Sequence, residues 1–255
     1  MRDIYSFPDS ITDIYCQEIQ IAESKSLQRN DEWFENRRGR FTGSKIKDLM
    51  SCTMSTSRLT WCAEKVIDFG ETAKKYVFSR AKERQRKKVI RLDIGRNGEY
   101  GSNIESTIIE LLKEKYPNSA IKEVGFIEFI EGIAGASPDG QFDNLALEIK
   151  AAIDWNGVYM RHEMPFDHKH QDFWQIQSEM LALKTDECMY VVAEPPENIK
   201  NPVIKDLSEI IVKSSPIHQN AIIQRCLIGD AAINLYLEGC NFQEAIIIAC
   251  TEFKF

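Results

Sequence analysis

The sequence has no long apolar run. Even runs such as Ala245-Ile-Ile-Ile-Ala-Cys250, which none exceeds in length, fall far short of the roughly 20 residues that span a bilayer, so no membrane helix is expected. No charged-then-apolar segment with a small-residue cleavage site opens the chain, which leads to the expectation of a cytoplasmic protein. Cys16, Cys52, Cys62, Cys188, Cys226, Cys240 and Cys250 form no Cys-x-x-Cys pair, which argues against a zinc ribbon or disulfide frame and for reduced core thiols. There is no Gly-x-x-x-x-Gly-Lys-Ser/Thr loop, so nothing points to ATP use. Positive charge is in deficit, with 32 Lys and Arg against 39 Asp and Glu and a net charge of −7. That total excludes a uniformly basic nucleic-acid binder, yet a DNA site needs only a local positive field. Residues 74–91 supply one: Lys74, Lys75, Arg80, Lys82, Arg84, Arg86, Lys87, Lys88 and Arg91 stand against the single acid Glu83. Such runs are ordinarily solvated helix faces. Here the run lies between residues 33–44 and Glu105 in a chain that carries the acidic signature described next, and Lys87, Lys88 and Arg91 are expected to contact the DNA backbone.

That signature begins at Ser137-Pro138-Asp139-Gly140. After a short turn it ends in Leu147-Glu148-Ile149-Lys150. Leu145, Leu147 and Ile149 alternate with Ala146, Glu148 and Lys150, so a strand here puts Glu148 and Lys150 on one face. Asp143-Asn144 can turn the chain back as a hairpin and bring Asp139 alongside. Two carboxylates and an ammonium then converge, and paired carboxylates hold Mg²⁺ through oxygen ligands. A surface hairpin with solvated Glu148 and Lys150 is the plainer alternative. The layout resembles the PD-(D/E)XK nuclease signature.

A further carboxylate lies upstream. Residues 98–116 read as an amphipathic helix stopped by Pro117, with Glu105 on the stripe of Ile108, Ile109 and Leu112. A carboxylate on a buried face requires a cation, either a metal or a Lys or Arg inside the fold. The length suits a single nuclease domain over 1–255, with 43% hydrophobic and 28% charged residues as in ordinary globular chains. Its parts are a helical stretch to about residue 116, a catalytic α/β core over about 98–212 and an apolar segment over about 216–255. Strands are expected near 120–131, 145–150, 187–193 and 204–212, and helices near 168–183 and 217–237. Ala245–Cys250 is too short for periodicity to decide strand or helix, core or oligomer interface. His162, His168 and His170 are expected to be loop histidines, since no Cys or third spaced ligand accompanies them for zinc.

Four blocks in order resemble the lambda-exonuclease or YqaJ-type viral recombinase nucleases, a branch of the PD-(D/E)XK superfamily. They are Trp33…Arg37-x-Gly39…Thr42-x-Ser44, Gly101-x-x-x-Glu105, Ser137-Pro-Asp139 with Glu148-x-Lys150, and Gln175-x-Gln177. The resemblance implies a restriction-endonuclease-like α/β fold with a mixed central β-sheet flanked by helices. It implies that Glu105, Asp139, Glu148 and the carbonyl of Ile149 bind Mg²⁺, with Mn²⁺ as a substitute, and that Lys150 orients or deprotonates the attacking water. Arg37, Ser44, Ser137 and Gln175 would hold the 5′-phosphate of a DNA end, as suits an Arg fork with hydroxyl and amide donors. The implied activity is 5′-to-3′ exonucleolytic digestion of one strand of double-stranded DNA from 5′-phosphorylated ends, leaving a 3′ single strand. A homotrimeric ring and a single-strand annealing partner are implied too. A structure-selective endonuclease and an inactive DNA-binding protein are the alternatives. One departure stands out: the position four after Gln175 is Glu179, where helicase-linked nucleases carry a tyrosine.

Overall fold

The computed structural model describes residues 30–52, 69–87, 95–197, 203–204 and 206–252, with backbone alone for 95–103. The expected DNA contacts Lys88 and Arg91 lie outside these residues. The Asp143-Asn144 turn forms as expected. Asp143 takes the left-handed conformation (φ 50°), which Asp tolerates better than most residues. It joins strands β5 (Gly140–Phe142) and β6 (Leu145–Ala151), pairing Phe142 with Leu145. Two hydrogen bonds moor the turn: the Asp143 N–H donates to the Ala120 carbonyl, and the Ala120 N–H donates to the Asp143 carboxylate (both 2.8 Å).

Five strands form the main sheet in the order β2-β5-β6-β7-β8, with β2 at Ile121–Lys122, β7 at Glu187–Ala193 and β8 at Leu207–Lys213. β6 and β7 are parallel while the other neighbours are antiparallel, so the sheet is mixed, as the fold class requires. Helix α4 (Gly95–Lys115) covers one face of β6, packing Ile104, Ile108, Ile109 and Leu112 on Leu147 and Ile149. Helix α6 (Phe173–Leu183) covers the other, placing Ile176 and Met180 on Ala146, Tyr190 and Val192. A strand covered on both faces buries even its polar residues, and this traps Glu148.

The structure corrects several expectations. Residues 120–131 are not one strand: β2 belongs to the main sheet, while β3 (Ile127–Ile130) joins β4 (Ala134–Ala136) and β1 (Phe41–Thr42) in a second sheet of order β1-β4-β3. β1 interrupts the stretch expected to be helical, and at two residues it is too short to show a strand period. α6 starts at Phe173 rather than near 168, because residues up to Asp172 are held in turns by bonds such as His170 N–H to the Asp167 carbonyl (2.8 Å).

Ala245–Cys250 is helical, within α8 (Phe242–Glu252), and buries Ala245, Ile246, Ala249 and Cys250. α8 packs with α7 (Pro216–Leu237) and with the basic helix α3 (Glu71–Arg86) in one core. That packing draws α3's charges inward. Arg84 pairs with Asp230 (2.6 Å) and donates to the Gly39 carbonyl (2.8 Å), while Arg80 pairs with buried Glu83 (2.8 Å). Lys82 lies against Tyr236 and Phe78. Part of the basic run therefore holds the fold together instead of facing a ligand.

β4 leads directly into the Ser137-Pro138-Asp139 segment, and Gly135 sets its fit. A methyl group at Gly135 would stand 2.5 Å from both the Ile127 carbonyl oxygen and the Phe126 ring. One of these is backbone and cannot rotate away. Gly135→Ala is accordingly expected to lower unfolding stability by about 1–3 kcal/mol, the usual range for overpacking. Urea unfolding checks this, and an unchanged midpoint would show that β3 yields freely.

Candidate active site

The hairpin places Asp139 beside β6, where its Oδ2 accepts a hydrogen bond from the Ile149 N–H (2.8 Å). Glu148 and Lys150 point from β6 toward α6, as the alternation predicts. Glu148 is 1% exposed, and the Lys150 ammonium forms a close ion pair with its Oε1. The Gln175 NH₂ group donates to Glu148 Oε1 (2.6 Å) and to Glu179 Oε1 (2.8 Å), while Lys150 Nζ donates to Gln175 Oε1 (3.3 Å). Glu179, also 1% exposed, is a member of this group that sequence reasoning registered only as a departure.

This cluster holds three carboxylates, Asp139, Glu148 and Glu179, against one ammonium. The excess negative charge shows in the titration of the two glutamates and of Lys150. Burial, then the charges of Asp139 and Glu179, push the Glu148 carboxyl well above the ordinary range, with Lys150 opposing. Burial pushes Glu179 up to about 8, with Lys150 opposing and Asp139 adding to the rise. Burial works against the Lys150 ammonium, but Glu148, Asp172 and Asp139 outweigh it and raise its pKa. Lys150 therefore stays charged, and the Glu148–Glu179 pair retains a proton. The second oxygens of both glutamates, Oε2, are buried without a hydrogen-bond donor. Oxygen-only ligands, two orphaned buried carboxylate oxygens and uncompensated negative charge together suit a hard divalent cation.

Among the described residues no three His, Cys, Asp or Glu side chains are already gathered to hold a metal. Lys150 occupies the oxygen of Glu148 that it faces, and Gln175 bridges Glu148 to Glu179. Glu105 is half-buried on α4, which covers the opposite face of β6 from α6.

A second cluster carries the opposite sign. Helix α1 (Asp31–Arg37), N-capped by Asn30 through the Trp33 N–H, presents Trp33 and Arg37 one turn apart. Arg37 donates to Ser137 Oγ (3.0 Å) and Ser44 Oγ (3.3 Å), Trp33 Nε1 donates to the same Ser137 Oγ (3.1 Å), and the guanidinium lies 4.0 Å from the Trp33 ring centre. Among the described residues no carboxylate pairs with Arg37, and burial pushes its pKa down to about 10. A cation held by hydroxyls without a counter-ion is suited to an anion. Arg37, Ser44 and Ser137 are thus brought together as predicted. Gln175 is not among them: it sits with Glu148 and Lys150. The two clusters are adjacent in the chain, since Ser137 precedes Asp139 by two positions.

The three histidines have local roles. His162 contacts Glu163, His168 stacks on His218, and His170 lies 3.1 Å from the Arg161 carbonyl.

The family of YqaJ-like viral recombinase domains matches residues 32–185. This chain belongs to that family. No curated protein sequence matches the chain. Among solved structures it is similar to the alkaline exonuclease LHK-Exo from Laribacter hongkongensis, at 18% identity and a TM-score of 0.63, over 82% of this chain and 95% of that one. The complex of LHK-Exo with dAMP superposes with a TM-score of 0.64 at 18% identity, over 86% and 100% of the two chains. A phage-related exonuclease from Haemophilus somnus 129PT gives 0.59 at 13% identity, over 78% and 95%. The shared fold and the family membership bear out the resemblance drawn from the four blocks and, with it, the reading of the chain as a deoxyribonuclease.

The raised glutamates make stability depend on pH. Between about 4.5 and about 8 the folded protein holds a Glu179 proton that the unfolded chain has released. Stability of the metal-free protein should therefore fall as pH rises through that window and recover as pH drops. Thermal melts from pH 5 to 8.5 in EDTA should show this slope, and saturating Mg²⁺ should flatten it. A metal-free melting point that climbs with pH over this range would contradict the assignment.

Proposed function

We propose that this protein is a Mg²⁺-dependent exonuclease that digests one strand of double-stranded DNA in the 5′-to-3′ direction from 5′-phosphorylated ends, leaving a 3′ single strand. The observation that carries this reading is the half-buried Arg37 fork on Ser44 and Ser137, two residues from Asp139. A terminal phosphate dianion suits that fork better than a diester does. The related LHK-Exo was crystallised with dAMP, which carries such a phosphate monoester.

Asp139, Glu148 and the Ile149 carbonyl would hold the cation, and the family resemblance adds Glu105, which stands on α4 across β6 from α6. Once bound, it supplies an acidified water and charge neutralisation at the phosphorus. Lys150, whose pKa the neighbouring carboxylates raise, would act as a cation that orients the attacking water and balances charge on the phosphoryl oxygens. Gln175 holds Lys150 and Glu148 in register. Lys87, with Lys88 and Arg91, would follow the DNA backbone. The homotrimeric ring, a single-strand annealing partner and a cytoplasmic location belong to the same reading through the family resemblance.

Arg37→Ala separates end recognition from generic cleavage. The variant should digest 5′-phosphorylated ends one to two decades more slowly, from a lost contact of roughly 1.5–3 kcal/mol, and leave 5′-hydroxyl ends nearly unaffected. Asp139→Ala should abolish digestion of both. End-labelled linear duplexes of the two kinds provide the measurement. An equal loss on both ends in Arg37→Ala would make Arg37 a general backbone contact.

A further inference from the structure

Glu179 is an expensive residue where it stands. It lies one turn beyond Gln175 on α6, between Ser178 and Met180, both buried, and among the described residues it forms no ion pair. Its Oε2 has no donor, and its Oε1 accepts from Gln175 Nε2 (2.8 Å). Packing alone would favour an apolar side chain of similar volume, since an unpaired buried carboxylate destabilises a fold.

What the carboxylate does provide is direction. A glutamine amide can occupy the same space in two orientations, chosen only by its partners. As placed, the Gln175 NH₂ meets two carboxylate oxygens, at 2.6 and 2.8 Å, and its oxygen meets the Lys150 ammonium at 3.3 Å. Turned over, the amide would set its NH₂ against the Lys150 ammonium and its oxygen against two carboxyl groups that share one proton, so at least two of the three attractive contacts would become repulsive. We propose that Glu179 is a positioning residue of the nuclease centre, which locks the Gln175 amide so that its oxygen faces Lys150 and its NH₂ faces Glu148. This rests on the nuclease reading above.

The test compares kcat, KM and melting temperature on linear 5′-phosphorylated duplex for Glu179→Leu, Glu179→Ala, Glu179→Gln, Gln175→Ala and the doubles of Gln175→Ala with Glu179→Leu and Glu179→Ala. Two truncations are used so that the outcome does not depend on one of them folding. Glu179→Leu should raise the melting temperature yet lower kcat about tenfold with KM for DNA unchanged, a loss equal to about one hydrogen-bond increment. Glu179→Gln, whose carbonyl still accepts from Gln175, should recover most of that loss. In the Gln175→Ala background, truncating Glu179 should cost no further rate, because the two act through one amide. Wild-type kcat in the truncations, or a full additional loss in the doubles, would overturn the proposal. An inactive wild-type protein would instead overturn the nuclease reading itself.

Discussion

Burying Glu148 inside a mixed sheet is the constraint to which the rest of the centre answers. β6 lies between α4 and α6, so a carboxylate on it has no access to water. Moving such a charge out of water costs several kcal/mol even after the surroundings relax. Lys150 and Gln175 offset part of that cost, but Asp139 and Glu179 add negative charge to the same space. The protein side chains alone leave the balance unresolved, and a retained proton or a divalent cation completes it.

Asp139 ties this problem to its opposite. Its carboxylate is held by the Ile149 N–H, which fixes the segment leading back through Pro138 to Ser137. Ser137 Oγ then accepts from both Arg37 and Trp33. A cation-seeking cluster and an anion-seeking cluster thus share one short backbone segment. In the function proposed above, a divalent cation and a terminal phosphate would satisfy both at once. The close packing of Gly135 on Phe126 and Ile127, which leaves no room for a side chain, keeps β4 and the segment behind it in place.

Legibility in the sequence followed periodicity and spacing. The alternation from Leu145 to Lys150 and the Asp143-Asn144 turn were enough to place Glu148, Lys150 and Asp139, because a strand's period fixes which side chains share a face. Ser44 and Ser137 could be joined to Arg37 only through the family resemblance, since the contacts span as many as 100 positions. Glu179 escaped because an acid on a helix reads as solvated until the sheet beneath it is known. The internal role of part of the basic stretch was hidden for the same reason: nothing local reveals that Arg84 meets Asp230, 146 positions away. The second sheet was invisible because β1, β3 and β4 are too short to impose a pattern.

The central claim is that the buried glutamates hold a proton that a divalent cation displaces. Calorimetric titration of metal-free protein with Mg²⁺ at pH 7, in buffers of different ionisation enthalpy, measures this directly. Binding should release about one proton per ion, seen as a heat that varies with the buffer, because the cation takes Glu148 as a ligand and displaces the proton it shares with Glu179. Binding with no dependence on buffer, or no binding at all, would contradict the account.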